Sequence, residues 1–384
     1  MPVSKEFRLA PGNGCRGDKR VVRFRDRPRR SAVANRLGAF LAAAVIFTFG
    51  VSALAGPKAS ASGIIYLLRA DRADAPLGDL AQQRCWSNPH VDGILLRTHW
   101  NRIQPSPDEI DWSFFDEGVA LAAQHQKKVG LLVTAGVTTP LWVYSAGAHS
   151  VTVRQLRRGK KSSTMQQPLP WDPVFQAKWS EVVRQLGTRY DSKPEVAYVI
   201  MGGPGRKAEA FFVSTPGEIA AFNEVGGLPS WIEGVKWITD QYAKYLPATP
   251  FLLDLGAPVP SASGRNALRL VCAYGAESYP HRFGVKSDGL TANYKLSSIG
   301  ALQVEAMSST TTVGFQMLLP FKGKSNLQGT PLLAGALSLG SKLGAHFVEV
   351  YAVDCDDSRN AAILDKASDR LKSARKAVLS KPHF

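Results

Sequence analysis

The side chains best able to do chemistry in this chain stand at or just beyond the ends of short apolar runs. Arg97, His99 and Trp100 close VDGILLRTHW, and Trp142 follows KVGLLVTAG. Glu209 follows VAYVIMGGPG. Asp254 lies in TPFLLDLGAP, Asp288 in GVKSDGLTA, Gln316 in TTVGFQMLLP, and Glu349, Tyr351 and Asp354 in HFVEVYAVD. Carboxyls gathered on one rim can act as a pair, one donating a proton while the other takes a proton or attacks. Aromatic faces stack on sugar rings, and carboxylates with arginine hold hydroxyls and a leaving oxygen, so the mixture suits a carbohydrate. Each residue also has a plainer use. Trp112 and Trp179 fall in helical stretches and suit packing. Arg97 could pair with an acid below the rim, Asp254 or Asp288 could cap a helix, and Glu209 could be an exposed helix-start acid.

Eight apolar runs supply those ends. They begin near Ser62, Val91, Lys128, Val196, Thr249, Gly284, Thr311 and His346. Most are continuous rather than alternating, the pattern of strands buried on both faces. Amphipathic stretches lie between them at 114–126, 173–190, 232–245, 262–274, 332–343 and 360–378. Strands alternating with helices over this length predict an α/β fold of the (β/α)8 barrel type, spanning 62–384. Active sites of such barrels form at the C-terminal ends of the strands. Residues 138–170 show neither period and read as a long surface loop, with a basic stretch from Arg154 to Lys161.

Of the 384 residues, 47 are Lys or Arg and 31 are Asp or Glu, a net charge of +16. Residues 1–36 are a basic segment, and residues 37–55 carry no charge. Residues 1–55 together hold eleven basic residues against three acids, half of the excess. The uncharged run ends at Ala53-Leu54-Ala55. A basic start, an apolar run and an A-x-A exit describe a secretory signal; the run also just reaches the length of a bilayer span, so an uncleaved membrane anchor is the alternative. Either predicts an extracytoplasmic barrel, secreted, periplasmic or tethered through 37–55. Cys85, Cys272 and Cys355 would lie outside, an odd number that allows at most one bridge.

Several motifs are incomplete. GKS at 323–325 lacks the first glycine of a phosphate loop, and GGPGR at 202–206 lacks the third glycine of a dinucleotide site. No H-E-x-x-H, G-x-S-x-G or C-x-x-C occurs, so neither a metal nor a cofactor is expected. The basic stretch after Arg154 has no interleaved aromatic residues, which argues against a nucleic-acid partner.

From Gly93 to Val143 the chain resembles the second and third βα units of the clan-A glycoside hydrolases, of cellulase and β-galactosidase type. The resemblance is carried by Gly93, Arg97, Trp100, Pro105, Trp112, Asp116, Pro140 and Trp142, and Trp171 to Gly205 resembles the run into the fourth strand. It implies a (β/α)8 fold and hydrolysis by two carboxylates, an acid/base after strand four and a nucleophile at the end of strand seven. Glu209 is the nearest acid after strand four. The strand-seven position falls at Gln316, which cannot ionise or form a glycosyl ester. The second carboxylate is then Asp288 or Glu349, with Asp254 a further choice. Arg97, His99, Trp100, Trp142, Asp254, Gln316 and Tyr351 would contact the sugar. Two other readings remain open: an inactive barrel that binds glycan, and a basic peripheral protein that holds acidic polymers through Arg154 to Lys161. Oligomeric state is left open.

Overall fold

The computed structural model describes residues 58, 60–68, 78–155, 163–321 and 329–379. The expected basic segment, the apolar segment 37–55 and residues 156–161 of the basic stretch lie outside the described residues. Among the described residues no helix is long and apolar enough to cross a membrane.

Ten strands form. They are β1 (Gly63–Leu67), β2 (Gly93–His99), β3 (Lys128–Thr134), β4 (Ser150–Gln155), β5 (Ser163–Pro168), β6 (Val196–Ile200), β7 (Phe251–Asp254), β8 (Phe283–Leu290), β9 (Thr312–Met317) and β10 (Phe347–Tyr351). Eight of them close into one parallel barrel in the order β1-β10-β9-β8-β7-β6-β3-β2. All eight expected runs are therefore barrel strands, and most are buried along their full length, as continuous apolar runs require.

Helices return the chain outside the barrel, and their ends are legible. Asp172 caps Pro173–Tyr190 by accepting from Phe175 N at 2.8 Å, with proline in the first turn, where its missing N–H costs nothing. Thr215 and Glu218 form a reciprocal capping box on Pro216–Glu224. Gly227–Tyr245 begins five residues before the expected start because Pro229 is tolerated in its first turn. Ile299–Met307 has no expected counterpart: IGALQVEAM is apolar nearly all round and shows little helical period.

The expectation of a structureless loop at 138–170 is overturned. A short helix, Leu141–Ser145, leads into an antiparallel hairpin of β4 and β5. SVTVRQ does alternate, with Val151 and Val153 buried, but the period covers only one arm and its partner is polar.

Inside the barrel, large side chains are matched with glycines. A Cβ on Gly130 would strike the Tyr198 ring, and one on Gly314 would strike Phe347. Tyr198 therefore reaches across the barrel axis toward β10. This is the packed floor below the C-terminal rim.

Candidate active site

The site is organised by a lysine that the reading of the sequence did not single out. Lys286 on β8 is buried, with Nζ 3.0 Å from Asp254 Oδ2 and 3.2 Å from Glu349 Oε2, and it also pairs with Asp288. Tyr198 donates its hydroxyl to Glu349 Oε1 at 3.0 Å. Strand register explains the meeting: Asp254 on β7 is level with Lys286, and Lys286 is level with Gly314 on β9. Asp288 lies two residues beyond Lys286, on the same face of its strand. The signal was present in GVKSDG, a charged pair at a spacing of two within an apolar strand.

The charges follow from this packing. Burial works against an ammonium, but Asp254, Asp288 and Glu349 together raise Lys286 well above its ordinary pKa. Burial, then the Asp288 charge, push Asp254 well above the usual carboxylate range. Burial also raises Glu349, against the pull of Lys286. Asp254 and Glu349 are wholly enclosed, whereas the Asp288 side chain keeps 25 % of its surface exposed. The first two are thus placed beneath the rim rather than in contact with a sugar, and Asp288 is at the opening.

Glu209 reaches this group from the loop after β6. Ala210 N–H donates to Asp254 C=O at 2.9 Å, and Glu209 bridges to Asp254 in parallel register. Burial, then the Asp288 charge, raise the Glu209 carboxyl. It is only half-buried by surface, so a proton held there can be delivered. Glu209, bridged to Asp254, and Asp288, paired with Lys286, are thus the two carboxyls of this cluster with access to solvent.

The Glu209 loop is fastened by Arg206, another residue missed in the sequence. Its Nε donates to Phe212 O at 2.9 Å, Nη1 to Arg154 O at 2.8 Å and Nη2 to Glu218 Oε2 at 2.8 Å. Glu218 also accepts from the backbone N–H groups of Arg154, Ser214 and Thr215. Burial opposes its charge, but those donors and Arg206 bring it down to about 2. The hairpin, the loop and the helix Pro216–Glu224 are thereby tied together. Gly136, with φ +64, closes the other side. A Cβ there would collide with the carbonyls of Gly205 and Arg206, while Val137 N–H donates to Arg206 O at 2.9 Å.

The remaining expected residues divide. His99 is half-buried at the end of β2, its Nδ1 2.5 Å from Thr134 Oγ1 on β3. Arg97 lies two residues below it on the same strand face. Trp142 is half-buried, its indole donating to Gln104 O at 3.0 Å. Trp100 is corrected: it is fully enclosed, bonded to Gln104 and packed against Trp142, Phe175 and Trp179, so it offers no face to a sugar. Tyr351 is nearly buried and donates to Leu318 O at 3.3 Å. Gln316 is buried at the end of β9, in register with Glu349. Beside the rim, the loops after β2 and β3 and strand β5 line an open cleft of about 570 Å³, with Asn101, Tyr144 and Gln166 among its walls. That size is ordinary for a small-molecule site.

Residues 94–203 match the glycoside hydrolase 42 family model, described as Beta-galactosidase. No curated protein matches the chain. Among solved structures, the beta-galactosidase from the psychrophilic Marinomonas ef1 is similar with a TM-score of 0.52 at 11% identity, over 83% of this chain and 62% of that one. The beta-galactosidase from Bacillus circulans sp. alkalophilus is similar with a TM-score of 0.51 at 11% identity, over 85% and 57%. The chain therefore spans less than two thirds of either enzyme. The matched segment runs from β2 through the end of β6, the region whose residues carry the resemblance, and the fold is that of the clan-A (β/α)8 glycoside hydrolases.

Proposed function

We propose that the chain is a glycosidase that cleaves an oligosaccharide or polysaccharide at the C-terminal mouth of the barrel. The observation that carries this is a pair of solvent-accessible carboxyls on one ammonium-anchored cluster: Glu209 is bridged to Asp254, and Asp254 and Asp288 both pair with Lys286. Glu209, its carboxyl raised by burial and then by the Asp288 charge, donates to the leaving glycosidic oxygen. Asp288 supplies negative charge to the anomeric carbon as the bond breaks. Arg97, His99 and Trp142 orient the sugar. Gln316 rules out a glycosyl ester at the strand-seven position. The same glutamine favours a second reading, a barrel that binds glycan without turnover.

The leader pattern of residues 1–55 supports export of the barrel, with release or tethering as the two outcomes. The direct test is turnover of a panel of glycans by the full chain, with Glu209→Gln as control. General acid catalysis is worth about 10²–10⁴-fold, so the variant should lose at least ~100-fold in kcat. Unchanged turnover would remove Glu209 from the mechanism. Binding without turnover in the parent chain would favour the second reading.

A further inference from the structure

Gln316 stands where the wall of the barrel meets the opening. It lies two residues beyond Gly314, which is level with Lys286 and Phe347, and is itself level with Glu349. Glu349 reaches inward to Tyr198 and Lys286, so Gln316 shares that inward face. Only 6% of Gln316 is exposed, and its Oε1 has no hydrogen-bond partner among the described residues. A buried amide oxygen without a donor is costly, and a ligand N–H would satisfy it.

The neighbouring carboxyls are poorly placed to attack. Asp254 and Glu349 are enclosed and bound to Lys286, and Asp288 is held against the same ammonium. We propose that the substrate brings its own nucleophile: the site hydrolyses β-linked 2-acetamido-2-deoxy sugars, with Gln316 Oε1 accepting the acetamido N–H. This rests on the glycosidase reading with Glu209 as acid, and it names the substrate class.

The acetamido carbonyl oxygen forms a bond to C1 as the C1–O glycosidic bond breaks. The bonding pair leaves on the glycosidic oxygen, which takes the Glu209 proton. The positive charge resides in a fused oxazolinium ring beside Asp288. Its N–H becomes more acidic as that charge grows, so the bond to Gln316 strengthens toward the transition state. Water then adds to C1, Glu209 takes its proton, and the ring opens to restore the acetamido group with anomeric configuration retained. Attack comes from the face opposite the leaving group, which requires a 1,2-trans linkage, β in the gluco series.

The experiment uses the full chain with 4-nitrophenyl β-glycosides of N-acetylglucosamine, N-acetylgalactosamine, glucose and galactose, and the thiazoline analogue of N-acetylglucosamine. The expected result is a kcat/KM at least ~100-fold higher on an acetamido sugar than on the matching hydroxyl sugar, a modest share of what an intramolecular nucleophile provides. The thiazoline should inhibit competitively. Gln316→Met should lower kcat on the acetamido sugar by ~10-fold or more, with little change in KM. It should leave the melting midpoint in place, because it removes an amide whose oxygen has no hydrogen-bond partner among the described residues. Equal turnover of hydroxyl sugars without thiazoline inhibition would overturn the proposal, and sensitivity of that turnover to Glu209→Gln would leave the glycosidase reading standing. No turnover of any of the four, with the thiazoline unbound in calorimetry, would overturn both.

Discussion

Replacing Lys286 by Met keeps the length and apolar stem of the side chain and removes only its charge. In the native barrel that charge faces Asp254 at 3.0 Å and Glu349 at 3.2 Å, with Asp288 alongside, and Nζ is shielded from water. Removing one partner of a buried ion pair costs about 3–5 kcal/mol, because the other charge is left uncompensated. Here two enclosed carboxyls lose their counter-ion, and each escapes by taking a proton. That escape is costly at high pH. Holding a proton at pH 7.5 on a group that would titrate near 4 when unfolded costs ~1.4 kcal/mol per pH unit of difference. In the variant the folded pKa lies above the unfolded one, so the folded state binds more protons and stability falls as pH rises between the two values. Urea unfolding at pH 7.5 should therefore show Lys286→Met less stable by about 3–5 kcal/mol. At pH 5.0 most of that loss, up to ~3.5 kcal/mol, should be recovered, since the difference to be covered shrinks by about 2.5 pH units at ~1.4 kcal/mol each. Adding Asp254→Asn should restore stability at pH 7.5, a coupling that a double-mutant cycle reads directly. A loss below ~1 kcal/mol, or one of equal size at both pH values, would refute the account of Lys286 as the counter-charge of this cluster.

Glu218 should make the Glu209 loop sensitive to acid. Its pKa is held at about 2, so its stabilisation is present above the ordinary glutamate value of 4.5 and is lost as pH falls toward 2. Glu218→Gln should cost about 2–3 kcal/mol at pH 7 and flatten stability between pH 4.5 and 2 in urea titrations. His346 should act in a higher window. Its Nδ1 accepts from Val313 N–H at 3.2 Å, and burial, then the Arg375 charge, hold it down at about 4. The unfolded chain takes up the proton first, so stability should fall by up to about 3 kcal/mol between pH 6.5 and 4, and His346→Gln should abolish that slope in thermal melts. Gly136→Ala should force the Gly205–Arg206 backbone away, lowering kcat with a melting midpoint down by several degrees. Arg206→Met should lower kcat by ~10-fold or more through displacement of Glu209, while Arg206→Lys, which cannot make the forked contacts, should rescue little.

The barrel was legible because strands buried on both faces must be apolar throughout, and VAYVI or FVEVY can hardly be anything else once helices lie between them. The rim was legible for the same reason, since the strand ends announce which side chains face the opening. Depth was not. Whether Asp254, Asp288 and Glu349 sit at the mouth or on the floor depends on the stagger of neighbouring strands, and the β8–β9 pairing shifts register between Ser287 and Leu290. Trp100 and Trp142 illustrate the same limit. They sit on short helices after different strands, and only packing reveals that one ring is enclosed while the other stays partly exposed. Lys286 escaped notice because a lysine in an apolar run reads as a strand end, whereas here it is the charge that allows three acids into the barrel.

That arrangement divides the carboxyls by what their loss should report. Asp254 and Glu349 have no route to a ligand, and each is bound to a cation whose own burial depends on them. Neutralising either leaves Lys286 with less compensation, so Asp254→Asn and Glu349→Gln should lower the melting point before they touch turnover. Glu209 makes no ion pair with Lys286, and it keeps part of its surface in solvent. Its removal should leave folding nearly unchanged and act on rate. Asp288 belongs to both groups, paired with Lys286 yet exposed over a quarter of its surface, so Asp288→Asn should alter stability and turnover together. A residue on the floor that changed kcat at unaltered stability would show that the chemistry lies deeper in the barrel than Glu209 and Asp288 place it.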